Sequence, residues 1–374
     1  MIRYLLAALF AAAVFPASAE TGVTDSQVLL GQSAAFTGAA GELGTEMRAG
    51  ALAYFNSVNA QGGVNGRRIV LKSLDDRYEP TNAAAATKQL IEDDKVFALF
   101  GYVGTPTFNA AAPIIKDNHV PLVSAFTGAE SLRDPMIRYV FNVRASYFDE
   151  TEQIVQHLTA MSVDKIAVFY QNDAYGQAGL AGVERALKKR NMTVIEKGTV
   201  ERNTTDVKKA VETIGKAKPQ AVVMISAYKS CAAFIKEMKK AGNNPTFWNV
   251  SFVGSKALAK ELGNEGRGVQ ISQVVPFPWD NSIPVVREYS RLIGSDGKSQ
   301  PNFSSLEGFI SAKVIVEGMR RAGRNLTRES LIRALETMDP YDVGGFKVTY
   351  TPQDHRGSRF VDLTIISKDE KFVR

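Results

Sequence analysis

The chain has 374 residues, 45% of them hydrophobic and 22% charged, with a formal net charge of +6 and one cysteine. A chain of this length buries a large core and divides into about two domains, with no internal disulfide to help it. Its lysines and arginines are spread through helical stretches such as "ALKKR", "DVKK" and "KEMKK", which reads as solvated helix faces and argues against a nucleic-acid partner.

The first nineteen residues set the compartment. Arg3 is the only charge before Glu20, Leu5–Val14 is unbroken and apolar, Pro16 breaks the run, and "ASA" at 17–19 fits a small-residue cleavage site. Residues 1–19 are therefore expected to be a secretory signal peptide, cut before Glu20. The apolar run is shorter than the roughly 20 residues that span a bilayer. Removing Arg3 takes the charge from +6 to +5. Cys231 is far from the cleavage junction, so no lipid anchor is expected. The mature chain is expected to be free, monomeric and periplasmic.

Strand-like and helical stretches then alternate. "VLLGQS" predicts a strand, and Thr45–Ala60 a helix, with Met47, Leu52, Phe55 and Val58 at helical spacing. "GGVNGRRIVLKSLDD" reads as a glycine turn into a second strand. Glu79–Asp93 is helical with Pro80 near its start, "VFALF" is a third strand, a helix runs through Ile115, and "VPLVS" is a fourth strand. After "RASYFDE" the alternation restarts. Helices are expected at Phe148–Met161, Tyr175–Arg190, Val207–Ala217 and Lys229–Ala241, with strands "KIAVFY", "TVIEKGTV", "AVVMIS" and "TFWNV". Runs such as "VFALF", "IAVFY" and "AVVMI" are apolar throughout, as in parallel strands covered on both faces. Two such sets predict an α/β chain of two doubly wound lobes with parallel-sheet cores. Beyond "SQVVPFPWD", helices are expected at Ile283–Ile293, Ser304–Ala322 and Arg328–Thr337, followed by a terminal strand pair from "GFKVTYT" and "RFVDLTIIS".

Catalytic patterns are missing. His119, His157 and His355 have no metal-ligand spacing, and there is no G-x-S-x-G elbow or Walker motif. Cys231 lies beside Ala232 and Ala233 on a helical stretch and reads as a buried structural thiol. A hydrolase or lyase built on Asp149 and His157 would have no activated nucleophile or oxyanion motif. No enzyme activity, cofactor or metal is predicted.

Ligand chemistry has more support. In "LFGYVGTPT" an apolar strand ends at a glycine and a helix follows, with Thr105 read as its N-cap and Pro106 as its first residue. The N–H groups of Thr105 and Thr107 and the Thr105 hydroxyl would face a ligand at a strand's C-terminal end, where open α/β sheets bind. No lysine follows, so a carboxylate suits these neutral donors better than a phosphate; a bare helix cap is the alternative. "SAFTGAE" brings Ala125, Phe126 and Thr127 to the adjacent strand end. In "RASYFDE", Tyr147 and Asp149 stand at the crossing between the two sets, and Asp149 either pairs a ligand ammonium or caps the next helix. Tyr175, Tyr228, Ser251 and Phe252 follow second-lobe strands. Tyrosines in such places offer an apolar wall with a polar tip.

With these residues the chain resembles the periplasmic solute-binding proteins of the branched-chain amino acid (Leu/Ile/Val-binding) family. The likeness is carried by "VLLGQSAAFTGAAGELGTEMRAGALAYFNSVNAQGGVNGRRIVLKSLDDRYEP", "FGYVGTPT", "VSAFTGAE", "VRASYFDE" and "KIAVFYQNDAYGQAG". It implies two lobes joined by three crossovers that close on a ligand, and an inner-membrane ABC permease as partner. The tail is expected to return to the first lobe and then cross to the second, giving lobe 1 as 20–145 plus 276–346 and lobe 2 as 146–275 plus 347–374. Thr105 falls at the hydroxyl that holds the ligand carboxylate, with Val103 supplying backbone beside it. Thr127 falls at the threonine that meets carboxylate and amine, and Tyr175 at the tyrosine that covers the ligand. Two positions depart from the family: Ser251 stands in the segment that carries the glutamate for the ligand ammonium, and Leu43 where the first lobe has an aromatic residue. A serine cannot neutralise a buried ammonium. Either Asp149 takes over, or the ligand has no amine and is an aromatic or aliphatic acid or an amide. The expected function is capture of a small carboxylate-bearing solute, an amino acid of the branched-chain class or a relative, for import; a ligand sensor acting on a membrane receptor is the alternative.

Overall fold

The computed structural model describes residues 20–294, 297 and 299–374, so the signal-peptide expectation at 1–19 lies outside the described residues. A first sheet runs in the order β2-β1-β3-β4-β5. Its strands are β1 (Gln27–Ala34), β2 (Arg68–Asp75), β3 (Ala98–Phe100), β4 (Leu122–Val123) and β5 (Val140–Phe141), all parallel. The second sheet holds β6 (Ile166–Gln171), β7 (Lys197–Val200), β8 (Ala221–Ile225), β9 (Thr246–Asn249), β10 (Gln270–Gln273), β13 (Asp362–Ile366) and β14 (Phe372–Val373). Its order is β14-β13-β10-β9-β8-β6-β7, with β7 to β10 in parallel pairs and β13 and β14 antiparallel at one edge. The apolar runs make the inner strands: β3 and β8 are buried at every residue, as strands covered by helices on both faces must be.

Helices α1 (Gly41–Ala60), α2 (Pro80–Lys88) and α3 (Thr105–Asp117) follow strands of the first sheet; α4 (Tyr147–Ala160), α5 (Ala174–Lys188), α6 (Lys208–Lys216), α7 (Tyr228–Lys240) and α8 (Ser255–Leu262) belong with the second. After β10 the chain forms α9 (Pro284–Ile293), α10 (Phe303–Ala322) and α11 (Arg328–Glu336). α10 packs closely on α1, because Gly50 and Gly308 let the backbones approach: a Cβ on either would come within 2.0 Å of a carbonyl oxygen, that of Ser305 or Met47.

The chain crosses between the sheets after β5, after β10 and before β13. The first and third crossings are tied together. Asn142 takes its N–H to the His355 carbonyl at 2.9 Å, and its own carbonyl accepts from the Gly357 N–H at 2.7 Å and the Tyr350 hydroxyl at 3.0 Å. One expectation fails here: the two C-terminal strand stretches do not pair. β12 (Lys347–Val348) pairs with β11 (Tyr341–Asp342), whereas β13 adds to β10 with Gln270 opposite Ile365. The second sheet offers an open β10 edge, and two alternating stretches in sequence do not reveal it.

Candidate functional site

The loops after β3 and β4 meet at the C-terminal edge of the first sheet. Val103 and Phe126 pair across them, with the Phe126 N–H on the Tyr102 carbonyl at 2.6 Å. Gly104 ends the loop at φ 100° and ψ 151°, and the helix cap is Gly104, not Thr105 as the sequence suggested. Only glycine takes this conformation easily, and a Cβ here would lie 2.2 Å from Tyr78 Cε2. Thr105 therefore becomes the first residue of α3 and Pro106 the second. The first helix bond is Phe108 N–H to the Gly104 carbonyl, so the N–H groups of Thr105 and Thr107 precede the ladder.

Freed from capping, the Thr105 hydroxyl lies 2.6 Å from that of Thr127. Thr127 donates in turn to the Tyr147 phenol at 3.2 Å, and its oxygen accepts the Ala129 N–H at 3.3 Å. Thr105, Thr127 and Tyr147 are all buried. Ala125 is buried beneath them and takes the Thr127 N–H on its carbonyl. Tyr147 begins α4 of the second lobe, so this hydroxyl chain joins the two lobes.

An aromatic cluster closes over it. Tyr175 packs on Phe252 at 4.5 Å between centroids and on Tyr147 at 5.4 Å, and Phe252 also meets Phe126 at 5.6 Å and Tyr78 at 5.9 Å. The Tyr78 hydroxyl accepts the Gln171 side-chain amide from the other lobe at 3.3 Å. Burial pushes the Tyr147 phenol up to about 12 and those of Tyr78 and Tyr175 well above their ordinary value, so all three stay neutral. Asp76 fixes the Tyr78 segment, accepting the Tyr78 N–H at 2.8 Å and the Ser33 hydroxyl at 2.7 Å; its carboxyl is raised to about 6 by burial.

Three other expected residues stand apart from this cluster. Asp149 forms a capping box with Ser146, accepting both the Ser146 N–H at 3.0 Å and its hydroxyl at 2.7 Å. It lines a cavity of about 270 Å³ with Glu130, Arg133, Arg185 and Arg356. The helix cap reading of Asp149 accounts for its carboxylate. Tyr228 lines a separate groove of about 230 Å³ with Phe36, Thr37 and Lys229. Ser251 gives its N–H to Glu150 at 2.7 Å and its hydroxyl to Glu150 at 3.0 Å, and the Arg144 guanidinium bonds to its oxygen.

The sequence reading passed over Arg144, Glu150 and Glu307. All three are buried, in a chain whose other acids and bases are mostly exposed. Arg144, on the first crossover, stands over the Phe126 ring at 5.0 Å. It pairs with Glu150 of α4 at 3.2 Å and faces Glu307 of α10 at 3.6 Å. The one available signal was Glu307 itself, a lone acid between Leu306 and Phe309 on an apolar helix face. Cys231 is buried with its thiol on the Ser226 carbonyl at 3.4 Å, and burial pushes that thiol up. Among the described residues no group of three or more His, Cys, Asp and Glu side chains is arranged to hold a metal.

Residues 27–371 match a family model described as periplasmic binding protein. Leu/Ile/Val-binding protein homolog 7 of Brucella suis is 24% identical, over 96% of this chain and 92% of that protein. The crystal structure of a possible leucine/isoleucine/valine-binding protein from Rhodopirellula baltica superimposes with a TM-score of 0.89 at 34% identity, covering 94% of this chain and 97% of that one. A substrate-binding periplasmic protein from Ralstonia solanacearum gives a TM-score of 0.87 at 30% identity, covering 93% and 99%.

Proposed function

The chain belongs to the periplasmic binding protein family, and from that premise we propose that it captures a small carboxylate-bearing solute between its lobes and delivers it to an inner-membrane ABC permease. The solute is an amino acid of the branched-chain class or a relative. Its relatives are substrate-binding proteins, and this chain likewise binds without turnover. It acts in the periplasm as a monomer after loss of residues 1–19, with lobes of 20–145 plus 276–346 and 146–275 plus 347–374.

One observation carries this reading: paired Thr105 and Thr127 hydroxyls, 2.6 Å apart, beside the unladdered N–H groups that open α3. The two N–H groups at the helix N-terminus, joined by the two hydroxyls once these turn from each other and from Tyr147 to the ligand, match one carboxylate, and the helix dipole favours its charge. The second lobe contributes Tyr147, Tyr175 and Phe252, whose rings exclude water and strengthen the bonds beneath them. Ligand binding then shifts an open–closed equilibrium, and the closed form is what the permease recognises.

A thermal-shift screen of L-amino acids and simple aliphatic and aromatic acids tests this. A ligand at 100 times its dissociation constant stabilises the fold by about 2.7 kcal/mol. A melting shift with at least one carboxylate is expected; a flat response to every acid, with turnover or binding of an uncharged solute instead, overturns the reading.

A further inference from the structure

The cavity of about 270 Å³ beside Asp149 is lined by none of Thr105, Thr127, Tyr147, Tyr175 or Phe252. Its walls come from four stretches of chain. The turn after β4 brings Glu130, Arg133 and Asp134, and the start of α4 brings Ser146, Phe148 and Asp149. α5 brings Arg185, and the third crossing brings Arg356, Ser358 and Arg359. Both lobes and two of the crossings therefore meet there. The space is just under the roughly 300 Å³ at which pockets for drug-sized ligands begin, so it suits a small solute.

Four guanidiniums and three carboxylates line it, but they are unevenly partnered. Arg356 stands 3.9 Å from Glu130 and 3.8 Å from Asp354. Asp149 is held in its capping box with Ser146, at the positive end of α4. Among the described residues no carboxylate pairs with Arg133, Arg185 or Arg359, and Asp134 is the one lining acid with neither a cation nor a cap. Arg185 lies over the Phe148 ring at 4.8 Å. Arg133 is only 4% exposed and gives its N–H groups to neutral acceptors, the carbonyls of Ala129 at 2.8 Å, Arg144 at 3.2 Å and Thr127 at 3.4 Å. Burial pulls its guanidinium down to about 10, and Glu130 opposes this. A buried cation with no carboxylate on it is costly, and an anion entering the space relieves it.

We propose that this cavity binds a phosphate-class dianion, either free phosphate or the phosphoryl group of a small phosphomonoester, and that the bound anion favours the lobe arrangement seen here. Guanidinium forks match phosphate oxygens two at a time. The three unpaired forks come from three different elements, the turn after β4, α5 and the third crossing. A dianion among them ties Arg133 of the first lobe to Arg185 of the second. Arg133 also donates to the Thr127 carbonyl, so the anion's pull on this guanidinium reaches the loop that carries the threonine pair. Coupling to the cleft rests on the carboxylate reading of that cleft; anion binding itself does not.

The test is calorimetric titration of the mature chain with inorganic phosphate and, separately, with glycerol 3-phosphate, in chloride buffers of matched ionic strength. One equivalent should bind, and the tighter of the two identifies the source. Arg185→Ala and Arg359→Ala change exposed side chains, so both variants should fold. Each should weaken anion binding by about tenfold, as the loss of a bond between charged groups does. Thr105→Val should bind the anion as wild type does. Saturating phosphate should tighten binding of the cleft's solute by about fivefold or more, and by reciprocity the solute should tighten phosphate equally. No binding of either anion above a chloride background, unchanged affinity in both arginine variants, or loss of the anion in Thr105→Val would each overturn the site. Unchanged solute affinity with phosphate bound would overturn the coupling. If no carboxylate solute binds the cleft, the cleft reading fails by itself, and the phosphate titrations of wild type and the arginine variants still decide this site.

Discussion

Thr127 donates its hydroxyl to the Tyr147 phenol, 3.2 Å away, and this bond passes from the first lobe to the second. The proposed carboxylate cradle and the proposed covering wall are thus parts of one network: Thr105 leans on Thr127, and Thr127 on Tyr147. A ligand carboxylate that enters between the two threonines also changes what holds the lobes together.

Thr127→Val should therefore weaken binding of any carboxylate ligand by about 1–3 kcal/mol, a five- to 150-fold loss, since it removes a bond to a charged group. Thr105→Val should do the same. Titration calorimetry reads both, and unchanged affinity in both variants would remove the threonines from the site.

Gly104→Ala should destabilise the fold by about 1–3 kcal/mol, because it forces a side chain into a conformation that L residues rarely adopt. The new methyl group would also collide with the Tyr78 ring. Urea denaturation checks this: the midpoint should fall with an unchanged slope, and an unchanged midpoint would mean that the loop accommodates the methyl.

The far edge of the cleft carries a polar latch. Arg202 pairs with Glu79 at 2.9 Å and with Asp173 at 3.2 Å, and Asn203 reaches Glu79 at 2.7 Å. These side chains are partly exposed, so the latch contributes up to about 1 kcal/mol. Arg202→Ala should reduce ligand affinity about fivefold at most and raise the open population. Trp279 supplies the signal. It lies on the second crossover against Phe303 of α10, at 5.7 Å, and Phe372 of β14, at 5.8 Å. Its fluorescence should change on ligand addition, and Trp279→Phe should abolish that change.

Stability should report Glu307 through pH. The folded carboxyl is raised to about 7 from an ordinary 4.5, so between these values the folded state binds more protons than the unfolded one. Stability contributed by this group then falls as pH rises through that window. Asp76, raised to about 6, acts in the same sense, and His355, lowered by burial, in the opposite one. The difference between wild type and Glu307→Gln isolates Glu307: denaturation midpoints should favour wild type less at pH 8 than at pH 5. A constant difference would mean that Glu307 does not titrate there.

The strands "VFALF", "IAVFY" and "AVVMI" were legible because parallel strands covered on both faces need apolar side chains at every position. β5, with two residues, and β13, which joins a sheet through β10, carry no such signal; their pairing depends on where the rest of the chain lies. In the site, the loop ahead of α3 was legible from a strand, a glycine and a helix start in succession, although the cap moved by one residue. The ionic group was not. Glu307 meets Arg144 and Glu150 only in the fold; Arg144 and Glu150 each read alone as a surface charge, and only Glu307, a lone acid on an apolar helix face, offered a signal. Asp149 drew attention because it is an acid at a crossover, yet its neighbour Glu150 points into the interior.

The central claim is that a solute carboxylate is held by Thr105, Thr127 and the first N–H groups of α3. Titration of the mature chain with its best amino acid and with the same amino acid as its carboxamide tests it most directly, since only the carboxylate differs. The acid should bind and the amide should lose at least about tenfold in affinity, the equivalent of 1.4 kcal/mol. Equal binding of acid and amide would contradict the account.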